Sequence, residues 1–536
     1  MKLFINGKIM TLDQNNSIFE AMAVEDGLIK ALGTTKDILK LIKDDTIIYD
    51  LAGKSVLPAF NDSHMHLLEY AFTLSRVDLS KAKSIQDIID YMKAYIEQNA
   101  IPEGILVEGY GWNQDYFIGE SKFPTRDDLD RISKTHPIII TRACVHACVV
   151  NSRVLEIEGI DSKTKQVEGG VFEIKDDRCT GIFRENAMSM IKKVYPPVTK
   201  EVIKENILKA QPFLIQQGIV SVQTDDFGCV ENYEDVIQCF RELDMEGKLK
   251  IRIYEQCLLK TKENLIDYLQ KGYHKEKGTS HFKLGPLKIL GDGSLGARTA
   301  LLRNPYKDAP DTQGIAIYEK DYLLEYMRLA HDSGMQIAIH AIGDQMMELA
   351  LDCFHQITND NPRQNHRHGI VHCQITDKEL LDRFRTWHIL AYIQPIFLHY
   401  DLHIVADRVG EELASTSYNF KTLYDNGVIT AIGSDCPVEP FHTMNNLYCA
   451  VNRKDLEGYP KEGFYPEQKL SIQEALRGYT NYGAYASFEE EKKGSLEVGK
   501  YADMIILNED ILSINPMSIK DVKILKTYID GIEFIN

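Results

Sequence analysis

The chain has 536 residues, of which 44% are hydrophobic and 26% charged, with a formal net charge of −18. That length allows a large core and more than one domain, and the composition is that of a globular protein. The negative charge argues against nucleic acid or an anionic membrane as the main partner. No stretch has the apolar length of a membrane span, and the opening "MKLFINGKIM" lacks the apolar core of a signal peptide. The ten cysteines are scattered, Cys144 and Cys148 being the closest pair with no matching histidine set, so reduced thiols and a cytoplasmic location are expected.

In chain order, residues 1–56 read as short strands with turns: "LFINGKIMTL", "EAMAVEDGLIKALG" and "IIYDLAGKSVL". Their Asn-Gly and Asp-Gly pairs predict tight hairpins. The C-terminal "GSLEVGKYADMIILN" and "KILKTYIDGIEFI" have the same texture. Residues 1–56 with 496–536 are therefore expected to form one small β-sandwich from both chain ends. Between them, short apolar runs alternate with helical sequence: "SVLPAFNDSHMH", "GIVSVQTDD", "KIRIYEQC", "GPLKILGDG", "QIAIHAIGD", "HGIVHCQ", "ILAYIQP" and "TAIGSDCP". Eight strand–helix units predict an α/β fold, a (β/α)₈ barrel over 57–495. Residues from about 70 to 200 break the alternation and read as a long insertion after the first strand. Neither repeats nor low-complexity linkers are present.

Barrel chemistry gathers at the C-terminal ends of the strands. There the first run carries His64 and His66, which share one face of an extended segment. The fourth carries Lys288 before Gly291-Asp292-Gly293, the fifth His340, the sixth His372 and the last Asp435. Taken singly, His340 or His372 could be a hydrogen-bonded core histidine, Asp435 a helix cap and Lys288 a surface charge. Metal-compatible groups at five strand ends of one barrel point instead to a metal site. Imidazoles and a carboxylate without a cysteine cluster suit zinc at a catalytic centre. Such an ion lowers the pKa of a water to ~7 and polarises a carbonyl, and Asp435 can accept the proton. Asp292, in its Gly-Asp-Gly turn, is more readily spent on backbone hydrogen bonds. "GDGSLG" matches a dinucleotide loop, but no clean βαβ unit or distal ribose carboxylate accompanies it. A loop at the barrel mouth, with Arg298 facing substrate, fits better.

The stretches "PAFNDSHMH", "IHAIGD", "GSDCPV" and "GSLEVGKYADMIIL" resemble the amidohydrolase superfamily of metal-dependent hydrolases. "GWNQDYF", "HACVVNS", "GIFREN" and "LKILGDGSLGARTALL" narrow the resemblance to the amidohydrolase-3 subgroup, which includes N-substituted formamide deformylases. The resemblance implies that His64, His66, His340, His372 and Asp435 are metal ligands. Lys288 would be the bridging position, carboxylated in many relatives, which would hold two ions; an unmodified Lys288 would leave one. In the insertion, Trp112, Tyr116, His146, Asn151 and Glu185 fall in subgroup-like stretches and are candidates for lining a substrate pocket or for ordinary packing. Two positions depart from the pattern: Gly369-Ile370-Val371-His372 replaces a common Arg-Ile-Glu-His, and Val149 stands where relatives commonly place tryptophan. Deaminating relatives often carry a glutamate three positions after the fifth-strand histidine, where this chain has Gly343. The expected activity is hydrolysis of a C–N amide or formamide bond of a small molecule. A deaminase, an esterase and a non-catalytic scaffold of the same fold are the alternatives, and a homo-oligomer is left open.

Overall fold

The computed structural model describes all residues except 115, 116, 120, 143–146, 168, 169 and 536; of 185, 186 and 535 it describes only the backbone. Tyr116, Cys144 and His146 therefore lie outside the described residues, as does the side chain of Glu185. The nine described cysteines are all free. Among the described residues, no helix is long and apolar enough to cross a membrane.

The chain divides into two compact units, residues 1–69 with 203–536, and residues 70–202. The first unit contains the barrel. Its eight parallel strands are Phe60–Met65, Ile219–Thr224, Arg252–Leu258, Phe282–Leu290, Ile337–Ala341, Gly369–His372, Leu390–Ile393 and Thr430–Ile432, paired in that order. Both faces of such a sheet are covered, so its strands are buried, nearly continuous apolar runs. At the seam between the last and first strands, Asp435 N donates to His64 O (2.8 Å) and His66 N to Cys436 O (2.8 Å). Two of the helices between strands start at side-chain caps of this kind: Thr261 accepts from Asn264 N at Lys262–Gln270, and Asp377 from Leu380 N at Lys378–Thr386.

The terminal strands form two sheets. One has the order Leu28–Gly33, Ala21–Glu25, Lys2–Ile5, Ile47–Asp50. The other runs Ile532–Ile535, Ile524–Ile529, Met504–Leu507, Ser55–Pro58, Lys8–Met10, Ile18–Phe19, and so draws on both chain ends. They share an apolar core that includes Phe4, Val24, Val56, Met504 and Tyr528. Asp26-Gly27 and Asp530-Gly531 close hairpins with φ of 53° and 78°, and of 50° and 67°, as a two-residue type I′ turn requires. Asn6-Gly7 does not make the expected hairpin. Its flanking strands, Lys2–Ile5 and Lys8–Met10, pair with different partners in different sheets. The pair moves the chain from one sheet to the other, and a Cβ on Gly7 would lie 2.3 Å from Leu51 Cδ1. The apolar run read as the first barrel strand is also two elements: Ser55–Pro58 belongs to the terminal sheet, and only Phe60–Met65 to the barrel.

The second unit is a six-stranded sheet in the order Gly170–Lys175, Arg178–Glu185, Ala147–Val150, Ile138–Arg142, Val107–Trp112, Val77–Asp78. Two apolar clusters form its core, one around Leu79, Met92, Trp112 and Ile140, the other around Val150, Phe172 and Phe183.

Candidate metal centre

Most of the side chains discussed below sit at or just beyond the C-terminal ends of barrel strands, and the backbone there is specially held. His372 has φ 85° and Asp435 φ 61°, a left-handed conformation costing a non-glycine residue about 1–3 kcal/mol. The clasp that holds Asp435 is Asp62 in the first strand. Its Oδ1 accepts from both Ser434 N (2.9 Å) and His64 N (3.2 Å), tying the first strand to the last. Gly433 permits this approach, since a Cβ there would lie 2.6 Å from His64 N. Burial pushes the Asp62 carboxyl up to about 7.

Three donors converge: His64, His372 and Asp435 are buried, with ligand atoms all within 4.8 Å of one another. Asp435 Oδ1 lies 3.2 Å from His64 Nε2 and 3.1 Å from His66 Nε2. The His64 and His372 rings are 5.7 Å apart, and the His340 ring stands 4.4 Å from His372. Burial, together with the Lys288 charge, lowers His64 to about 4, and burial with neighbouring His340 holds His372 well below its ordinary value. Burial would also lower His66, but the hydrogen bond to Asp435 and its charge raise it to about 9. Burial alone would raise the Asp435 carboxyl; the neighbouring His372 and the hydrogen bond from His66 instead keep it well below the carboxylate range.

These are the properties of a cation site. Donors ~2.0–2.2 Å from a tetrahedral ion stand about 3.3–3.5 Å from each other, close to the observed His–Asp435 distances. His64 and His372 are neutral at neutral pH and Asp435 is an anion, the protonation states that ligands need. The residues fit a divalent ion.

The sequence profile of the amidohydrolase family matches residues 48–533. The chain belongs to that family. It is 31% identical over 529 residues to YtcJ of Bacillus subtilis, covering 98% of this chain and 97% of that protein. It is 24% identical to the N-substituted formamide deformylase of Arthrobacter pascens, covering 99% of this chain and 97% of that one. Among solved structures, an uncharacterized metal-dependent hydrolase from Pyrococcus horikoshii superposes with a TM-score of 0.79 at 31% identity, covering 96% of this chain and 99% of its own.

In this amidohydrolase the other expected residues divide. His66 touches the centre through Asp435. His340 turns Nε2 toward Gly293 O (3.1 Å) and Asp292 Oδ1 (3.4 Å), outside the converging trio. Lys288 is buried with Nζ 3.3 Å from Asp225 Oδ2, an ion pair that the sequence reading did not include. Asp292 accepts from three backbone N–H groups: Leu301 (2.9 Å), Ile342 (3.1 Å) and Gly343 (2.8 Å). Arg298 is engaged by Asp308 through two hydrogen bonds of 3.1 and 2.8 Å, a carboxylate that Arg408 also pairs with, instead of presenting its guanidinium to a substrate. Trp112 is 0% exposed in the core of the second unit, its ring edge-on to Phe123. Asn151 caps the helix Ser152–Glu158 and donates to Ser133 O and His136 O. Both are packing residues of that unit.

Four site residues were missed: Asp62, Asp225, Gln256 and Gln394. The last two accept from imidazole Nδ1 atoms, Gln256 from His64 (2.7 Å) and Gln394 from His372 (2.9 Å). Asp225, Gln256 and Gln394 lie in or just after the closing residues of runs already read as barrel strands, "VQTDD", "IYEQC" and "YIQP", and Asp62 lies within the first strand, two residues before His64. That position was the available signal.

Proposed function

We propose that this amidohydrolase hydrolyses a C–N amide or formamide bond of a small molecule at one divalent ion held by His64, His372 and Asp435, and by His66 once the ion takes the place of its proton, with zinc the ion that imidazole and carboxylate donors suit. The observation that carries the reading is the convergence of His64, His372 and Asp435 at the barrel mouth. When bound, the ion would supply Lewis acidity at the carbonyl and a water of pKa near ~7. The protein does the rest. Asp435, held anionic among imidazoles, is the acceptor for the proton of the attacking water and the donor that returns it to the leaving amine. Neutral His64 and His372 offer lone pairs instead of competing charge. Phe397, its ring 5.9 Å from that of His372, gives the site an apolar wall.

One ion is favoured because Lys288 already has an anionic partner in Asp225, which supports an ammonium at that position. In the two-ion form of the same proposal, Lys288 is carboxylated and bridges. Ring deamination is disfavoured at Gly343. A side chain there would place Cβ 2.0 Å from Leu301 O, so the glutamate of deaminating relatives has no room. A non-catalytic scaffold is disfavoured by the intact donor set.

The test is elemental analysis of the purified chain, then a hydrolysis screen of zinc-loaded protein against formamides, N-acyl amines, N-acyl amino acids, esters and cyclic amides. Release of an amine from an amide or formamide is expected, with about one ion per chain. Turnover of esters alone, or a chain that binds no divalent ion, would overturn the reading.

A further inference from the structure

Two buried glutamines stand behind two of the candidate ligands, and their hydrogen bonds run one way only. Gln256 Nε2 donates to Ser63 O (3.1 Å), and Gln394 Nε2 donates to Tyr392 O (3.2 Å). A backbone carbonyl only accepts, so each amide must turn its nitrogen toward that carbonyl and its oxygen toward the histidine. The amide oxygen in turn only accepts. His64 and His372 therefore carry their proton on Nδ1, at 2.7 and 2.9 Å from Gln256 and Gln394 Oε1, and leave a lone pair on Nε2. His66 is oriented in the same sense by a main-chain acceptor, Asp225 O, 3.3 Å from its Nδ1.

This has an electrostatic consequence at Asp435. With its proton on Nδ1, His64 faces Oδ1 at 3.2 Å with two electron-pair-bearing atoms and no hydrogen between them. Such a contact is repulsive in a buried site unless a cation lies there. The glutamines thus hold in place a set of lone pairs that only a positive charge satisfies. Their chemistry also matters. A carboxylate in the same place would accept from Nδ1 but add a charge away from water, whereas an amide fixes the tautomer and leaves the imidazole neutral.

We infer that Gln256 and Gln394 are positioning residues that fix His64 and His372 in the Nδ1–H tautomer and aim their Nε2 atoms at the metal, an inference that rests on the metal site proposed above. They touch neither substrate nor ion. Neither glutamine has an exposed surface, and neither reaches its histidine through its own strand: Gln256 comes from the third strand to the first, Gln394 from the seventh to the sixth.

The experiment measures Zn²⁺ affinity of the full chain by competition with a chromophoric chelator, and the visible absorption of the Co²⁺-loaded protein, for wild type and for Gln256→Met, Gln394→Met, Gln256→Glu and Gln394→Glu. Methionine keeps the length and removes the acceptor; each methionine variant should lose 10–100-fold in Zn²⁺ affinity, the usual effect of losing an outer hydrogen-bond partner, and show an altered cobalt spectrum. Glutamate retains an oxygen that accepts from Nδ1 whether it is ionised or protonated, so the glutamate variants should stay within tenfold of wild type with the cobalt bands kept. If a methionine variant does not fold, Gln→Asn at the same position, which keeps the amide but falls short of the ring, carries the same expected loss. Methionine variants with wild-type affinity and spectrum would overturn the inference while leaving the metal site standing. So would glutamate variants that lose as much as the methionine ones, since that is the pattern of a packing role. A wild-type chain that binds neither Zn²⁺ nor Co²⁺ would overturn both.

Discussion

Asp292 offers a direct measurement of what holds the barrel mouth together. It is a buried carboxylate beside the centre, 3.4 Å from His340, and a ligand role would be a natural assignment. Its oxygens are instead spent on the main chain: Oδ2 accepts from Gly343 N at 2.8 Å and Leu301 N at 2.9 Å, and Oδ1 from Ile342 N at 3.1 Å. These bonds tie the loop after the fourth strand to the turn after the fifth. Asp292→Ala would leave three N–H groups without an acceptor. Hydrogen bonds to a charged acceptor contribute about 1.5–3 kcal/mol each, so three have a nominal sum of at least about 4.5 kcal/mol. Leu301 N is only part-buried and can recover a water partner. A loss of about 3–4 kcal/mol is therefore expected for Asp292→Ala. Asp292→Asn keeps one good acceptor and should lose about half of that. Hydrogen exchange read by mass spectrometry should show lost protection around residues 301 and 342–343 before the rest of the barrel opens. The metal content of the folded fraction should stay close to that of wild type. A variant with unchanged stability and exchange that has lost its ion would refute this account and make Asp292 a ligand.

Three other outcomes follow from the same geometry. The double variant His64→Asn with His66→Asn should lose most bound metal and all hydrolysis while remaining folded, because the ligands sit at the rim of a large core; full metal content by elemental analysis would contradict it. Asp435→Asn should cost ~10²–10⁴-fold in kcat with a much smaller change in KM, as expected when a proton acceptor is removed; a near wild-type rate with metal retained would clear Asp435 of that role. Burial would raise the Glu489 carboxyl, but the buried Lys493 at 2.6 Å and Lys283 hold it at about 2, below its ordinary 4.5. The stabilisation is therefore complete above pH 4.5 and disappears as pH falls through 2. At about 1.4 kcal/mol per pH unit it amounts to at most about 3 kcal/mol, since burial lowers Lys493 and works against the pair. Chemical denaturation of Glu489→Gln should show that gap at pH 7 and a narrowing of it toward pH 2; parallel curves for the two proteins would rule it out.

Much of the fold was legible because burial is written locally. All eight barrel strands stand out as short apolar runs, and parallel strands covered on both faces must look that way. Turn geometry is equally local where one residue pair decides it, as at Asp26-Gly27 and Asp530-Gly531. Asn6-Gly7 shows where that logic ends. Asn6 has the positive φ of 55° its sequence suggests, yet the strands on either side take partners far along the chain. Propensity sets the backbone at the turn; which sheet each strand enters is decided by cores that include Leu51 and Met504. The second unit could be read only as an insertion; its sheet could not, because its six strands combine parallel and antiparallel pairs across long connections.

The site divides along the same line. Which side chains stand at the strand ends is a matter of local sequence, and His64, His66, Lys288, His340, His372 and Asp435 could be read there. What each one touches is set by the barrel's layering, in which neighbouring side chains of one interior layer come from alternate strands. Lys288 on the fourth strand meets Asp225 just beyond the second, 63 residues earlier; His64 on the first meets Gln256 on the third, 192 residues later. Both pairings skip one strand. They carry the charge balance and the tautomer on which the chemistry depends, and neither leaves a trace in the spacing of the sequence. Arg298 is the instructive contrast, since its partner Asp308 lies only ten residues away. Its mobile-looking, glycine-rich context suggested a hand held out to substrate, but a carboxylate within its own loop had already taken it. Strand-end position identifies candidates; the choice between ligand, counter-ion and scaffold is made by partners on other strands, alternate for His64 and Lys288 and adjacent for His372.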